Sequence, residues 1–434
     1  MKKYIKKIVG SLYKSNARNQ KARTNSYYSA IVQANKVINT NKKDPIKIIQ
    51  NAFLKDGMDS TKLNDQWWYN FIYAGDYKIN KNKTPLKELE SSLREIESNI
   101  YSINEWLEIY YLSLRTGLSH IAYLIQNILI KKINCIDNFK NYNIDELKIF
   151  ALIGLKSLDE KITKKALSHI NSFGSDLEYN QVAEFVFQSI FGKNSVQNNL
   201  IKGMIDHEYL NYVKEKSIAI VGPKPTKINK SDEINSFDRV IKFNYHDDYL
   251  LEDSLYHSER CDLSYYSGTQ VELITKLHKG MLPEKLEWAV ILNHGFRVGI
   301  KEKNYNRVEV RQEIDFKKFF LKNLTGLPRV LLELSMCRTK KIKIYNLDLM
   351  ITKERFNNYR LDESRYEGGR LLWLHGAFNH DSLVQYQIVS SIYNNNNNFF
   401  GDKEFESVMN LGAENYMIKM QELHGLSASL DEKS

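Results

Sequence analysis

The stretch from Ser217 to Asp248, SIAIVGPKPTKINKSDEINSFDRVIKFNYHDD, constrains this chain more than any other. It opens with Ile218-Ala219-Ile220-Val221, a short β-branched run stopped abruptly by Gly222-Pro223. A second run, Arg239-Val240-Ile241-Lys242-Phe243, ends at Asn244. A short buried strand, a Gly/Pro turn, a connecting segment and a second strand are how a doubly wound α/β domain begins. In such sheets ligands sit beyond the carboxyl ends of the strands, which here means Gly222 to Thr226 and Asn244.

The texture of the chain changes around Glu215. From about Asn25 to Tyr212, helical periodicity recurs: Leu86 to Ile103 is Glu/Lys-rich, and Trp106 to Ile133 is apolar enough for a helix inside a bundle. Ile144 to Phe173 and Val182 to Ile205 continue the pattern without a fixed repeat. The aromatic knot Trp67-Trp68-Tyr69 reads as a core contact rather than a ligand platform. After Lys216, apolar runs at Ile218–Val221, Val240–Phe243, Trp288–Leu292 and Ile342–Leu347 alternate with helical stretches, the signature of a parallel-rich sheet. The expected organisation is a basic segment over 1–24, an all-α helical domain over 25–215, an α/β domain over 216–425 and a flexible tail over 426–434. The tract Asn394 to Asn398 is expected to be a surface loop.

The 434 residues suffice for two or three domains, and 42% hydrophobic with 26% charged residues is a globular composition. No apolar run approaches the roughly 20 residues needed to span a bilayer, and the N-terminus does not read as a secretory signal. Cys135, Cys261 and Cys337 are too dispersed for a metal site or a disulfide framework, which favours a reducing cytoplasm. The net charge of +10 is local. Residues 1 to 43 carry 11 of the 62 Lys and Arg and none of the 52 Asp and Glu, so the remainder is close to neutral. Within residues 2–14, Tyr4, Ile5, Ile8, Val9, Leu12 and Tyr13 recur at helical spacing among lysines. Such a basic amphipathic helix lies on an anionic membrane surface or is simply a first helix. Nucleic acid is not the expected partner, because the aromatic residues lie on the apolar stripe rather than between the basic ones.

Three stretches are candidates for chemistry. Gly222-Pro223-Lys224-Pro225-Thr226 lacks the Gly-Lys-Ser/Thr of a P-loop and the spaced glycines of the dinucleotide fingerprint. It is a stiff turn whose amides and Thr226 hydroxyl face a ligand, or a turn and nothing more. Thr325-Gly326-Leu327-Pro328 opens a helix with Thr325 or Gly326 as its cap. Its exposed amides make an anion site, although capping alone also explains Thr-Gly. In Trp373 to Asp381, His375 and His380 precede a helix marked by Leu383, Val384, Ile388 and Ile392. Asn379 or Asp381 is expected at the cap and His380 in the first turn. A helix N-terminus keeps imidazole neutral, as a general base requires, while Asp381 opposes that effect. No Asp-x-Asp pair, paired-histidine helix or cysteine cluster marks a divalent metal, so none is expected.

Together these stretches resemble the sialyltransferases, nearest to the animal-type family with its L, S, III and VS motifs. The L-like stretch is IAIVGPKPTKI…EINSFDRVIKFN and the S-like stretch is LTGLPRVLLELSMCRTKKIKIYNLD. The VS-like stretch is His380-Asp381 followed by Gln385, and His375 stands for the motif III histidine, closer to His380 than the family has it. The match runs in the right order over roughly Ser217 to Tyr393, under half of the chain.

The resemblance implies a Rossmann-like GT-A-variant glycosyltransferase domain, preceded by the helical domain. It also implies metal-independent, inverting transfer from a CMP-activated sugar acid, with no cofactor beyond this CMP-sugar donor. Residue by residue, Asn244 and the turn Gly222, Pro223, Lys224 and Thr226 would hold the cytidine nucleotide and its phosphate. Thr325 and Gly326 would receive the phosphate or sugar carboxylate. His380 would take the acceptor proton, and His375 would steady the departing phosphate. Three departures bear on this. Pro223 stands where the family usually has Asn, Gln385 where it has Glu, and Ile218 where secretory members carry a disulfide cysteine. The expected enzyme is therefore a cytoplasmic bacterial relative, peripheral on the inner membrane. Its donor would be a sialic acid or a Kdo-like ulosonic acid, and its acceptor a surface glycan, lipid-linked, of capsule or lipooligosaccharide type. A flagellin- or other protein-directed nonulosonate transferase is a second reading, and a non-catalytic nucleotide-binding or helical interaction protein a third.

Overall fold

Short runs rich in β-branched and aromatic residues build one seven-stranded sheet. Its strands are β1 (Ser217–Val221), β2 (Arg239–Phe243), β3 (Leu263–Tyr266), β4 (Trp288–Ile291), β5 (Glu309–Gln312), β6 (Lys341–Tyr345) and β7 (Phe399–Gly401). The spatial order is β5-β4-β3-β2-β1-β6-β7, and every neighbouring pair is parallel. This is an α/β fold with an all-parallel sheet, seen in a computed structural model that describes residues 22–37, 44–75, 84–97, 99–174, 176–192, 203–246, 254–277, 282–291, 308–352 and 379–430. Residues 2–14 and His375 lie outside the described residues.

Four strands were expected from their apolar runs. The other three escape that pattern for local reasons. β3 reads Leu-Ser-Tyr-Tyr without a β-branched residue, β5 is the polar edge run Glu-Val-Arg-Gln, and β7 has three residues.

The chain lays down β1 to β5 in one direction and then returns to place β6 on the other side of β1. The reversal creates a switch point between β1 and β6, where ligands gather in open α/β sheets. Val221 is in register with Tyr345, and the Gly222 N–H donates to the Tyr345 carbonyl at 2.8 Å. A Cβ on Gly222 would lie 2.2 Å from Leu347 Cγ and 2.4 Å from the Asn346 carbonyl oxygen. Only glycine allows the turn to approach β6 this closely.

Before β1, all regular elements among the described residues are helices. Those of seven or more residues are α1 (22–37), α2 (Pro45–Leu54), α3 (Asp65–Gly75), α4 (Thr84–Glu95), α5 (Ile103–Thr116), α6 (Ser119–Asn134), α7 (Ile144–Lys156), α8 (Glu160–Ser172), α9 (Leu177–Phe191) and α10 (His207–Val213). Ser102 with Glu105 and Asn143 with Glu146 form capping boxes at the starts of α5 and α7. The helix expected from Trp106 to Ile133 is two helices. Gly117 adopts φ 82° and the Leu118 N–H donates back to the Ser113 carbonyl at 2.8 Å, which ends α5. Trp67 and Trp68 are buried, their ring centroids 4.8 Å apart and edge to face, so they belong to the core as expected.

Later helices of seven or more residues are α11 (Gly268–Leu277), α12 (Gly326–Ser335), α13 (Ser382–Asn395), α14 (Lys403–Met409) and α15 (Gly412–Leu430). By contacts the chain forms two units. One is Met1–Asn180 with Arg370–Leu383 and Ala413–Ser434; the other is Gln181–Gly369 with Val384–Gly412. The division therefore differs from a single cut near residue 215, because the first unit ends at Asn180 and takes up two late segments. In that unit His120 of α6 contacts Glu90 through Nδ1 at 2.7 Å and Glu414 of α15 through Nε2 at 3.1 Å. Burial works against a charged imidazole here, but the two carboxylates outweigh it and raise its pKa. α15 also runs through residues 426–430 of the expected flexible tail.

The asparagine tract is likewise more than a loop. Asn395 donates to the Ile190 carbonyl at 3.1 Å, and Asn398 to the Thr339 carbonyl at 3.1 Å. These bonds close α13 and lead the chain into β7. No helix among the described residues is long and apolar enough to cross a membrane.

Because Gly222 has no room for a methyl group, Gly222→Ala should destabilise the sheet-bearing unit by about 1–3 kcal/mol. Urea unfolding followed by tryptophan fluorescence measures this, and an unchanged midpoint would contradict the close approach.

Candidate functional site

The carboxyl ends of β1, β2 and β6 converge at the switch point with Gly222, Asn244 and Asn346 as their next residues. Asn244 and Asn346 both adopt φ 53°, the left-handed region that Asn enters more readily than most residues. Both are buried.

In the turn, the Gly222 N–H is bonded to β6 and the Lys224 N–H donates to the Asn346 carbonyl at 3.1 Å. Pro223 and Pro225 have no N–H. The amides expected to face a ligand thus hold the turn against β6 at these positions. Pro223 is buried. The Lys224 carbonyl is also engaged, 2.9 Å from His257 Nε2. Lys224 Nζ stands 3.7 Å from Glu404, and Thr226 Oγ1 accepts from the Ile228 N–H at 3.2 Å.

Beneath Asn346 lies a cluster that sequence patterning missed. Lys230 Nζ donates to Asn346 Oδ1 at 2.9 Å and to Asp402 Oδ2 at 2.7 Å. Asp402 Oδ2 also accepts the Asn346 N–H at 2.8 Å, while its Oδ1 caps α14 through the Phe405 N–H at 2.9 Å. Lys230 and Asp402 are 172 positions apart, with no shared motif to link them. Only the Asp-x-x-Phe capping position before α14 was visible in principle.

Asn244 is engaged on one side only. Its Oδ1 accepts the Ser267 N–H at 3.0 Å, just ahead of α11, and its side-chain NH2 has no hydrogen bond among the described residues. An amide donor left open at a strand end is suited to a ligand acceptor.

The start of α12 meets this strand end. A Cβ on Gly326 would lie 2.3 Å from Phe243 Cδ1, so glycine lets the helix sit on the last residue of β2. Thr325 occupies the N-cap position, yet its side chain makes no capping bond. Its hydroxyl and N–H instead donate to Gln385 Oε1 at 2.6 and 2.8 Å. Capping therefore does not explain the Thr325 hydroxyl. An amide oxygen at 385 accepts both bonds, so this contact does not require the charge of a Glu.

Behind Thr325, Arg329 Nε donates to its carbonyl at 3.0 Å and an Arg329 guanidinium nitrogen contacts Glu313. Arg311 pairs with Glu333 at 2.8 Å, and Tyr265 donates to the same carboxylate at 2.7 Å. Arg311 and Glu313 alternate along β5 and its extension, opposite Arg329 and Glu333 one helical turn apart on α12. Burial is the largest influence on Glu313 and pushes its carboxyl from 4.5 up to about 7, against the pull of Arg329 and Arg311.

His380 stands ahead of α13 rather than in its first turn, because Asp381 intervenes at φ 53°. The Asp381 carboxylate, expected to act on His380, is paired with Lys156 at 2.7 Å and accepts from the Tyr110 hydroxyl at 2.6 Å. His380 belongs to the first unit and Gln385 to the second. Among the described residues, no group of three or more His, Cys, Asp and Glu is placed to hold a metal ion. No family model, curated protein or solved structure matches this chain.

A carboxyl raised in the folded state favours folding fully below about pH 4.5, an advantage lost as pH rises through about 7. Glu313→Gln should therefore flatten the fall in melting temperature between pH 5 and 8. His120 contributes a slope of the same sign, so the difference between wild type and variant isolates Glu313. Parallel curves would show that Glu313 does not titrate in this window.

Proposed function

We propose that the switch point binds a cytidine nucleotide and that the protein is an inverting, metal-independent glycosyltransferase. In this reading it moves a sialic acid or Kdo-like ulosonic acid from its CMP-activated form to a surface-glycan acceptor. The observation that carries the proposal is the meeting of separate motif-like stretches within the sheet-bearing unit. Gly222 packs on the end of β6, Gly326 packs on Phe243 beside Asn244, and Thr325 is bonded to Gln385. Among the residues that join, Gly222, Asn244, Thr325 and Gly326 are ones the sialyltransferase resemblance assigns to donor binding, although they lie up to 104 positions apart in the chain.

In the proposed reaction the acceptor hydroxyl oxygen attacks the anomeric carbon and the bond from that carbon to the CMP phosphate oxygen breaks. The acceptor proton passes to His380 and CMP leaves with the bonding pair. The uncapped start of α12 supports the role of anion receptor, since helix N-terminal amides favour negative charge. The unpartnered Asn244 amide supports contact with a base or ribose acceptor. The Gly222–Thr226 turn contributes shape and the Lys224 side chain rather than a cradle of amides. Residues 2–14 bring the enzyme to the anionic inner face of a membrane and its lipid-linked acceptors, with the protein otherwise cytoplasmic.

Purified protein offered CMP, UDP and GDP should gain thermal stability with CMP alone, and EDTA should not change the shift. A metal-dependent preference for UDP or GDP would overturn the donor assignment. His380→Ala should abolish transfer and leave CMP binding within about twofold; surviving transfer would place the base elsewhere. Gln385→Leu removes both bonds to Thr325, each worth about 1 kcal/mol, so CMP affinity should fall by up to about 30-fold by calorimetry.

A further inference from the structure

Asp381 is buried and its backbone is left-handed, with φ 53°. A non-glycine residue holds that conformation when its surroundings over-determine it. The surroundings here are two helices of the first unit. Lys156, the last residue of α7 and fully buried, brings Nζ to 2.7 Å from Asp381 Oδ2, a charge contact without hydrogen-bond alignment. Tyr110 of α5 donates its hydroxyl to Asp381 Oδ1 at 2.6 Å. Lys156 is itself fixed, donating to the Tyr111 hydroxyl at 3.2 Å and lying 4.2 Å from the centroid of the Tyr110 ring. Both carboxylate oxygens are thus gripped, from different helices, at the residue that follows His380.

A buried ion pair is a poor way to gain stability, because desolvating both charges offsets most of their attraction. Burial indeed depresses the Lys156 pKa in spite of the neighbouring carboxylate. Its value lies in geometry: a two-point grip on a carboxylate defines where the chain turns.

We propose that Lys156 and Tyr110 are positioning residues that hold Asp381 in its left-handed turn and thereby set the placement of the His380 ring. The proposal rests on the reading of His380 as the base. Neither residue touches the substrate; both act through Asp381.

The test uses the full chain with labelled histidines and follows the imidazole resonances by NMR, His380→Ala identifying the His380 signal. Tyr110→Phe removes one hydroxyl, and Lys156→Met removes the charge at similar length. Each should displace the His380 signal and its titration midpoint while leaving those of His120 in place. CMP release from CMP-N-acetylneuraminic acid should fall about 10- to 100-fold in kcat, with CMP affinity within about twofold of wild type. If Lys156→Met fails to fold, Tyr110→Phe decides. An unmoved His380 signal in the folded variants overturns the proposal, as does a loss of CMP binding equal to the loss of turnover, which would mark a general structural lesion. Wild-type turnover in His380→Ala would instead overturn the base assignment, and the NMR result would still decide whether the grip sets the ring.

Discussion

The close approach of the β1 turn to the end of β6 is the constraint on which the sheet-bearing unit depends. Two parallel strands added at different times must meet edge to edge, and the chain leaving the first must clear the second. Gly222 makes this possible because a side chain there would overlap Leu347 and the Asn346 carbonyl. The turn is then tied to β6 by the Gly222 and Lys224 amides, with prolines at the positions between and after them. A turn built this way is rigid and offers little backbone to a ligand.

The buried polar groups follow from the same geometry. Asn346, left-handed at the end of β6, would leave its N–H and side-chain oxygen unsatisfied, and Asp402 and Lys230 supply the partners. Across β2, the glycine at 326 seats α12 on Phe243, and its N-cap residue, Thr325, is held from two sides. Gln385 takes the Thr325 N–H and hydroxyl, and Arg329, braced by Glu313, takes its carbonyl. A helix start gripped by its neighbours can leave its own first turn without a side-chain cap. The charged quartet of Arg311, Glu313, Arg329 and Glu333 pairs residues of β5 and its extension with the helix.

Much of this was legible in advance, element by element. The apolar runs identified four strands, and the parallel α/β class followed from their alternation with helices. The three missed strands lack that signal because they are serine- and tyrosine-bearing, polar or very short. The long apolar stretch from Trp106 misled because periodicity alone does not reveal that Gly117 turns the chain back. The two-unit division was also hidden. What attaches α15 to the helical unit includes His120 between Glu90 and Glu414, a contact across 294 positions for which no local pattern exists.

The amino-acid sequence by itself determined the sheet class, the places of Gly222, Asn244 and Thr325-Gly326, and the burial of the Trp67-Trp68 pair. These depend on local periodicity, turn chemistry and steric need, which adjacent residues encode. Only the tertiary structure decided that the turn amides face β6, that the Thr325 hydroxyl goes to Gln385 instead of capping its helix, and that Asp381 is held by Lys156 and Tyr110. Each of those outcomes is a competition among hydrogen-bond partners far apart in the chain. Its winner is set by which groups folding brings within 3 Å, and no stretch of sequence contains that distance.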